Sequence, residues 1–403
     1  MKSVEQHTTD LLDLVEPLEP IRIELLRAQG GVLAEDVTAP VSLPQFDNSA
    51  MDGYALVAAD IAGAGADTPV RLPVVADIAA GDPGTHAIRT GMCARIMTGA
   101  PMPAGADAVV PVEWTDGGVA EVLISRPAKA GNAVRPAGGD VEKGAGVLRS
   151  GAHIGPAEIA VLAAVGHPDA LVHPRPRVAV LSTGEELVEP GTPIGPGQIW
   201  ESNGYMLTAA AIDAGCAAFR HGFTGDDPST VLATLGDVLP HADIVVTTGG
   251  VSMGAYDVVK EALTQLGTVR FEQVAVQPGK PQGAGTVHGT PIVTLPGNPV
   301  SSFVSFHLFV RPMLAKLSGR APEGLPALRA PLAAPVRDSP QGRRSYLRAQ
   351  LEYAADGGLA VRPVARQGSH QLAALASADA LIVVDEAATE LPAGRVVDVL
   401  RLP

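Results

Sequence analysis

The chain has 403 residues, 29 Lys and Arg against 43 Asp and Glu, a net charge of −14, and 46% hydrophobic against 18% charged residues. That length exceeds what one hydrophobic core serves, so several domains are expected, and the composition excludes a disordered chain. The acidic balance, the lack of a basic tract and an aromatic content of 3% argue against a nucleic-acid-binding surface.

In chain order, Ser3 with Gln6 reads as a capping box ahead of the helical apolar set Leu11, Leu12, Leu14 and Val15. A second short helix is expected after Pro20, with Ile21, Leu25 and Leu26 inward and a stop at Gly30-Gly31. From Val32 to about Glu142, short β-type runs (Val70–Ala76, Ala94–Met97, Ala108–Val112, Val119–Ser125) alternate with Gly, Pro and Asp turns and predict a β-rich module. Pro156 opens an apolar helix over Ile159–Val165 that Gly166 closes. His173-Pro174-Arg175-Pro176-Arg177 reads as a stiff linker. Continuous apolar strands then alternate with helices: Val178–Leu181, the helix Tyr205–Ala214, a helix capped by Asp227-Pro228, Ile244–Val246, the helix Val258–Leu266, Ile292-Val293 and a long helix Val300–Leu317. This pattern predicts a largely parallel sheet covered on both faces, over about 174–322. From Pro326 onward, the runs Ser345–Tyr353, Leu359–Pro363, Ala380–Asp385 and Arg395–Leu400 predict a small β-barrel or sandwich.

Cys93 and Cys216 are the two cysteines, and no CxxC or HExxH spacing offers a zinc site. They read as small core residues in a reducing cytoplasm. The ten histidines form no metal-spaced group. The N-terminal segment lacks a signal peptide's apolar stretch, and no apolar run approaches the roughly 20 residues of a membrane helix. A soluble, cytoplasmic protein without membrane partners is expected.

Ligands of open α/β sheets bind outside the carboxyl ends of the parallel strands. Three such ends stand out here: Leu181–Glu186, Thr247–Gly254 running on to Asp257, and Leu295–Ser302. Each supplies small residues, hydroxyls and free backbone N–H groups, the equipment for an anion such as phosphate. No GxxxxGK[ST] occurs, nor a GxGxxG after a strand, so a P-loop NTPase or a dinucleotide dehydrogenase is not indicated. Glu185, Glu186, Asp226, Asp227 and Asp257 crowd the same edge. Asp227 reads as the N-cap before Pro228. Carboxylates repel a phosphate unless a cation intervenes, so Mg²⁺ is inferred. Phe46–Ala55 and Met97–Pro103 form two further polar, turn-forming segments outside this region.

Seven segments in order, PQFDNSAMDGYAL, IMTGAPMPAGADAVVPVE, RPAGGDVEKG, VLSTGEELVEPG, TTGGVSMGAYDVVK, QPGKPQG and LPGNPVSSFVSF, resemble MoeA-type molybdopterin molybdenumtransferases and the E domain of gephyrin. The resemblance spans nearly the whole chain. It implies an α/β multidomain fold in four parts: a discontinuous helical domain (1–31 with 143–173), a β-rich inserted domain (32–142), a MogA-like α/β molybdopterin-binding domain (174–322) and a C-terminal β-barrel-like domain (323–403). It also implies a homodimer with a site shared between subunits, in which adenylylated molybdopterin loses AMP while molybdate is inserted, with Mg²⁺ required. Molybdopterin adenylyltransferase and molybdoenzyme acceptors are the implied partners.

Carried over by motif, the catalytic set is Asp52, Asp140, Glu186, Asp226 and Asp257, with Glu186, Asp226 and Asp257 as metal ligands. Thr98, Thr248, Gly249, Gly250, Ser252, Gln277, Lys280, Asn298, Pro299, Ser301 and Ser369 match ligand-contacting positions. Gln273 and Gln277 stand where members of the family often carry lysine, so Lys280, backbone amides, Mg²⁺ or Arg343 and Arg344 must supply the attraction for an anionic substrate. Two alternatives remain open at this point. One is a MogA-like adenylyltransferase, which consumes ATP; the other is a non-catalytic scaffold like the gephyrin E domain.

Overall fold

The computed structural model describes residues 1–224, 227–250, 258–353 and 357–403. The chain forms two compact units, one of Met1–Ile21, Gly30–Ala34 and Val172–Pro403, the other of Arg22–Gln29 and Glu35–Leu171.

The first unit is built on a six-stranded sheet of β1 (Arg177–Thr183), β2 (Ala217–Thr224), β3 (Ile244–Thr248), β4 (Val269–Gln273), β5 (Pro281–Val287) and β6 (Thr290–Leu295). The spatial order is β2-β1-β3-β6-β5-β4. The first four of that order are parallel, and β5 and β4 continue the sheet antiparallel. The expectation of a parallel sheet holds for the part with continuous apolar strands.

Alternation within the strands explains how both faces are filled. Val178, Val180, Ile244 and Val246 pack on one face with Leu207 and Ala211 of α1 (Asn203–Asp213) and Val300 and Val304 of α4 (Pro299–Ser305). Ala179, Leu181 and Val245 face the other way, against Val231 and Leu235 of α2 (Pro228–Val238) and Val259 and Leu263 of α3 (Val258–Gln265). Successive Cβ atoms of a strand point to opposite faces, so a run buried on both sides must be apolar throughout. As expected, Asp227 caps α2, its carboxylate accepting the Thr230 N–H at 3.0 Å.

The predicted long helix after Pro299 is continuous but not uniform. A π-helical turn, Phe306–Val310, joins α4 to a further helical segment, Arg311–Leu317. Pro312 lacks an N–H and cannot complete a regular turn at this point, which suits an inserted residue. The segment read as a helix after Pro20 is a correction. Ile21–Glu24 is a strand and only Leu25–Ala28 is helical, with Ile21 and Leu26 exposed. The alternating Ile-Arg-Ile-Glu run, with its β-branched residues, favours the extended form. The 173–177 segment is held in place: Arg175 donates to the carbonyls of Gly215 and Cys216.

Past the long helix, a second sheet orders Val276–Gln277, Arg344–Tyr353, Ala380–Val384, Val396–Arg401 and Ala327–Pro331, with Leu359–Pro363 along the other edge of Arg344–Tyr353. A single bridge, Leu332 to Val361, links the two ends, so the sheet closes only partly and is a half-barrel. Val276–Gln277 lies between β4 and β5 in sequence but pairs in parallel with Arg344–Ser345.

The other unit carries a five-stranded sheet ordered Ala108–Pro111, Gly53–Leu56, Cys93–Ile96, Val70–Ile78 and Glu121–Ile124; four of these strands match the predicted β-type runs, and Gly53–Leu56 emerges from the segment read as polar and turn-forming. The helix opened by Pro156 spans Pro156–Ala164. Both cysteines are buried and unbridged; burial pushes the thiols up, to about 12 for Cys93 and about 11 for Cys216. Among the described residues, no helix is long and apolar enough to cross a membrane.

Candidate active site

At the carboxyl ends of β1, β3 and β6 opens a cleft of about 830 Å³. Its walls include Thr183, Gly184 and Glu186 after β1, Thr248, Gly249 and Gly250 after β3, and Asn298, Pro299 and Ser301 at the start of α4, together with Gln277, Lys280 and Ser369. The three strand-end loops singled out in the sequence therefore meet in one place. Gly249 and Gly250 are required there: both have positive φ (96° and 64°). A Cβ on Gly249 would lie 2.6 Å from the Thr183 carbonyl oxygen, and one on Gly250 2.8 Å from Val259 Cγ2. Asp226, Ser252 and Asp257 lie outside the described residues.

Three anchors of this cleft carry no sequence motif noted above. Glu201, 1% exposed, accepts the Ser182 hydroxyl at 2.9 Å and the Gly204 N–H at 2.6 Å, tying the end of β1 to the start of α1. Its second oxygen has no hydrogen-bond partner among the described residues, and Arg220 Nη1 stands 3.9 Å away. Asn203 Nδ2 donates to Thr248 Oγ1 at 3.1 Å and to the Gly297 carbonyl at 2.7 Å, so one side chain clasps the first turn of α1 to the loops after β3 and β6. The Thr248 hydroxyl in turn donates to the Pro296 carbonyl at 3.1 Å, which commits it to the frame of the cleft. The third anchor is Arg348, 1% exposed, whose guanidinium donates to the carbonyls of Arg366, Gly368 and Gln371. That loop carries Ser369, whose carbonyl accepts the Val300 N–H of α4 at 3.0 Å. The one available signal was Ser202-Asn203, residue types that start helices, just before the apolar helix.

The charges answer the question raised by the two glutamines. Gln277 lines the cleft, and its Oε1 accepts from Arg343 Nη1 at 2.7 Å, so a cation is held at this glutamine. Arg344 is spent elsewhere, on Glu5 and Glu386. Gln273 is exposed and is not part of the lining. The Lys280 ammonium has no ion-pair partner among the described residues and is free for a ligand. The oxygen acceptors are the carboxylates of Glu186 and Glu201 and the buried, unpartnered Thr183 Oγ1, Glu201 Oε2 and Asn203 Oδ1, and the His370 ring also lines the cleft. The carboxylate and hydroxyl oxygens of the strand-end loops fit a hard cation such as Mg²⁺. Among the described residues, no three His, Cys, Asp or Glu side chains converge as a complete metal site.

Asp52, Thr98 and Asp140 belong to the other unit. Asp52 Oδ1 accepts both the Thr98 N–H (2.7 Å) and the Thr98 hydroxyl (2.8 Å), so residues from two separate motifs form one exposed pair. The Thr98 backbone N–H, then its hydroxyl, hold the Asp52 carboxyl below the ordinary carboxylate range. Asp140 ends a loop tied down by the Ala137 N–H on Asp47 (2.7 Å) and by its own N–H on the Leu43 carbonyl (2.9 Å).

A sheet edge of parallel strands with glycine-rich loops, a free ammonium and acidic side chains belongs to the class of open α/β ligand-binding sites. Three family models match: "MoeA N-terminal region (domain I and II)" over residues 2–166, "Probable molybdopterin binding domain" over 179–316, and "MoeA C-terminal region (domain IV)" over 329–402. Molybdopterin molybdenumtransferase 2 of Mycobacterium tuberculosis (strain H37Rv) is 47% identical over 400 residues, 98% of each chain. The Haemophilus influenzae molybdopterin molybdenumtransferase is 32% identical over 99% of this chain and 98% of its own length. The crystal structure of a molybdopterin biosynthesis MoeA protein from Pyrococcus horikoshii is 32% identical, with a TM-score of 0.82 over 99% of this chain and 98% of that one. The chain belongs to the MoeA family of molybdopterin molybdenumtransferases.

Proposed function

We propose that this protein inserts molybdenum into adenylylated molybdopterin, releasing AMP and the completed cofactor. The observation that carries the reading is the cleft at the ends of β1, β3 and β6, which joins backbone donors, Lys280 and acidic oxygens in a chain 47% identical to a molybdopterin molybdenumtransferase. The backbone amides of the Thr248–Gly250 and Asn298–Ser301 loops and the Lys280 ammonium bind the phosphates, and Arg343 on Gln277 attracts the molybdate. Cleaving a phosphoanhydride depends mainly on position and charge neutralisation, which fixed dipoles and cations provide. Glu186, with Asp226 and Asp257, would hold Mg²⁺, which neutralises phosphate charge when bound.

The working form we propose is a cytoplasmic homodimer, with Asp52 and Thr98 of one subunit serving the cleft of the other. It receives its substrate from a molybdopterin adenylyltransferase and delivers product to molybdoenzymes. Purified protein incubated with adenylylated molybdopterin, molybdate and Mg²⁺ should release AMP without ATP. Consumption of ATP with release of pyrophosphate would mark an adenylyltransferase instead, and no nucleotide release at all would mark a scaffold.

A further inference from the structure

Resting on that reading of the cleft, we propose that Trp200 is the stacking platform for a planar heterocycle of the substrate, its pterin or its adenine. Trp200 lines the cleft and is 50% exposed, an unusual place for one of the chain's two tryptophans. Among the described lining residues it is the one large aromatic side chain; His370 supplies the other ring.

Its exposure is not that of a loose loop. The indole N–H donates to the Thr192 carbonyl at 2.8 Å, so the polar edge is satisfied and the faces are what remain to offer. On the backbone side, Leu187–Val188 and Ile199–Trp200 form a short parallel ribbon, closed by the Ile199 N–H on the Glu186 carbonyl (2.7 Å) and the Glu201 N–H on the Val188 carbonyl (2.9 Å). The next residue, Glu201, is the buried anchor of β1 and α1, so the ring is fixed relative to the phosphate loops. A satisfied, immobilised indole left open on a cleft wall lowers the ordering cost of stacking a flat ring. The three strand-end loops account for the phosphates and the oxyanion, but they offer nothing apolar and flat. Trp200 supplies that missing surface, with Ile199 exposed beside it.

The test uses the full chain with Trp114→Phe, which leaves Trp200 as the sole tryptophan. AMP, a simple pterin and ribose 5-phosphate serve as probes, read by tryptophan fluorescence for AMP and by calorimetry for all three. Trp200→Ala should weaken one ring-bearing probe by about tenfold or more. Ribose 5-phosphate should bind unchanged, and Trp200→Phe should keep affinity within about threefold. The probe that weakens identifies the ring. Equal losses for all three probes, or no loss for either ring, overturn the platform while leaving the functional reading in place. If the wild-type protein binds neither AMP nor the pterin, both ideas fail together.

Discussion

Glu201 and Asp52 accept the same pair of bonds, one backbone N–H and one side-chain hydroxyl, at nearly the same distances: 2.6 and 2.9 Å for Glu201, 2.7 and 2.8 Å for Asp52. Their surroundings differ completely. Glu201 is 1% exposed with the half-buried Arg220 nearby, whereas Asp52 sits on an exposed turn. In a low-dielectric interior a carboxylate cannot leave its donors without stranding them, so Glu201 is part of the frame. In water those bonds are replaceable, so they add little to the stability of the fold.

The comparison can be broken at several points. Glu201→Ala should have the largest effect, on the order of 2–4 kcal/mol, because it leaves the buried Ser182 hydroxyl and the Gly204 N–H without their acceptor. Urea unfolding would read this, and a loss under about 1 kcal/mol would show that the carboxylate is hydrated in solution. Asp52→Ala should keep stability within about 0.5 kcal/mol while AMP release drops on the order of 100-fold. Mixed with Asp257→Ala chains, it should regain part of the activity, since a heterodimer keeps one intact cleft. Chains that exchange yet stay inactive would refute a shared site.

Asn203→Ala should cost roughly 1–2 kcal/mol by removing two bonds between loops, and should raise KM more than it lowers the melting temperature. Gln277→Lys tests the charge compensation. From sequence alone, the added cation should tighten molybdate retention by up to about tenfold. Because Arg343 already occupies that position, a lysine would repel it, and the single change should move affinity by no more than about threefold. Arg343→Ala should weaken retention, and the double variant should restore it. The smallest effect concerns acid. The folded-state value of Asp52 lies below its ordinary 3.8, so its bonds to Thr98 are fully present above that pH and are lost as pH falls through the depressed value. The Thr98 amide shift in NMR should therefore titrate with a midpoint under 3.8. A midpoint at or above it would mean that the pair is absent in solution.

What could be read from the sequence follows from what each segment buries. Val178–Leu181 and Ile244–Val246 were legible because strands covered on both faces must be apolar throughout. β5, Pro-Gln-Gly-Ala-Gly-Thr-Val, was not, since glycine, glutamine and proline hide its extended form and its identity comes from pairing with β6. Ile21, Leu25 and Leu26 matched a helical spacing by coincidence, and exposure of Ile21 and Leu26 removed the reason for it. The loops of the cleft were visible as motifs. Glu201 and Asn203 were not, because a carboxylate and an amide after a Gly/Pro-rich stretch look like any turn until the fold shows what they hold.

The two-residue strand Val276–Gln277 has a consequence for anyone who would cut this chain into pieces. It belongs by sequence to the molybdopterin-binding segment, yet its ladder partner is Arg344–Ser345 in the half-barrel. A fragment ending near residue 322 would thus lose a wall of its own cleft, since Ser369 departs with the half-barrel. It would also present a bare sheet edge bearing Val276, an invitation to self-association. The seam between the matched segments is a boundary of ancestry and not of mechanics, and the two parts should melt as one.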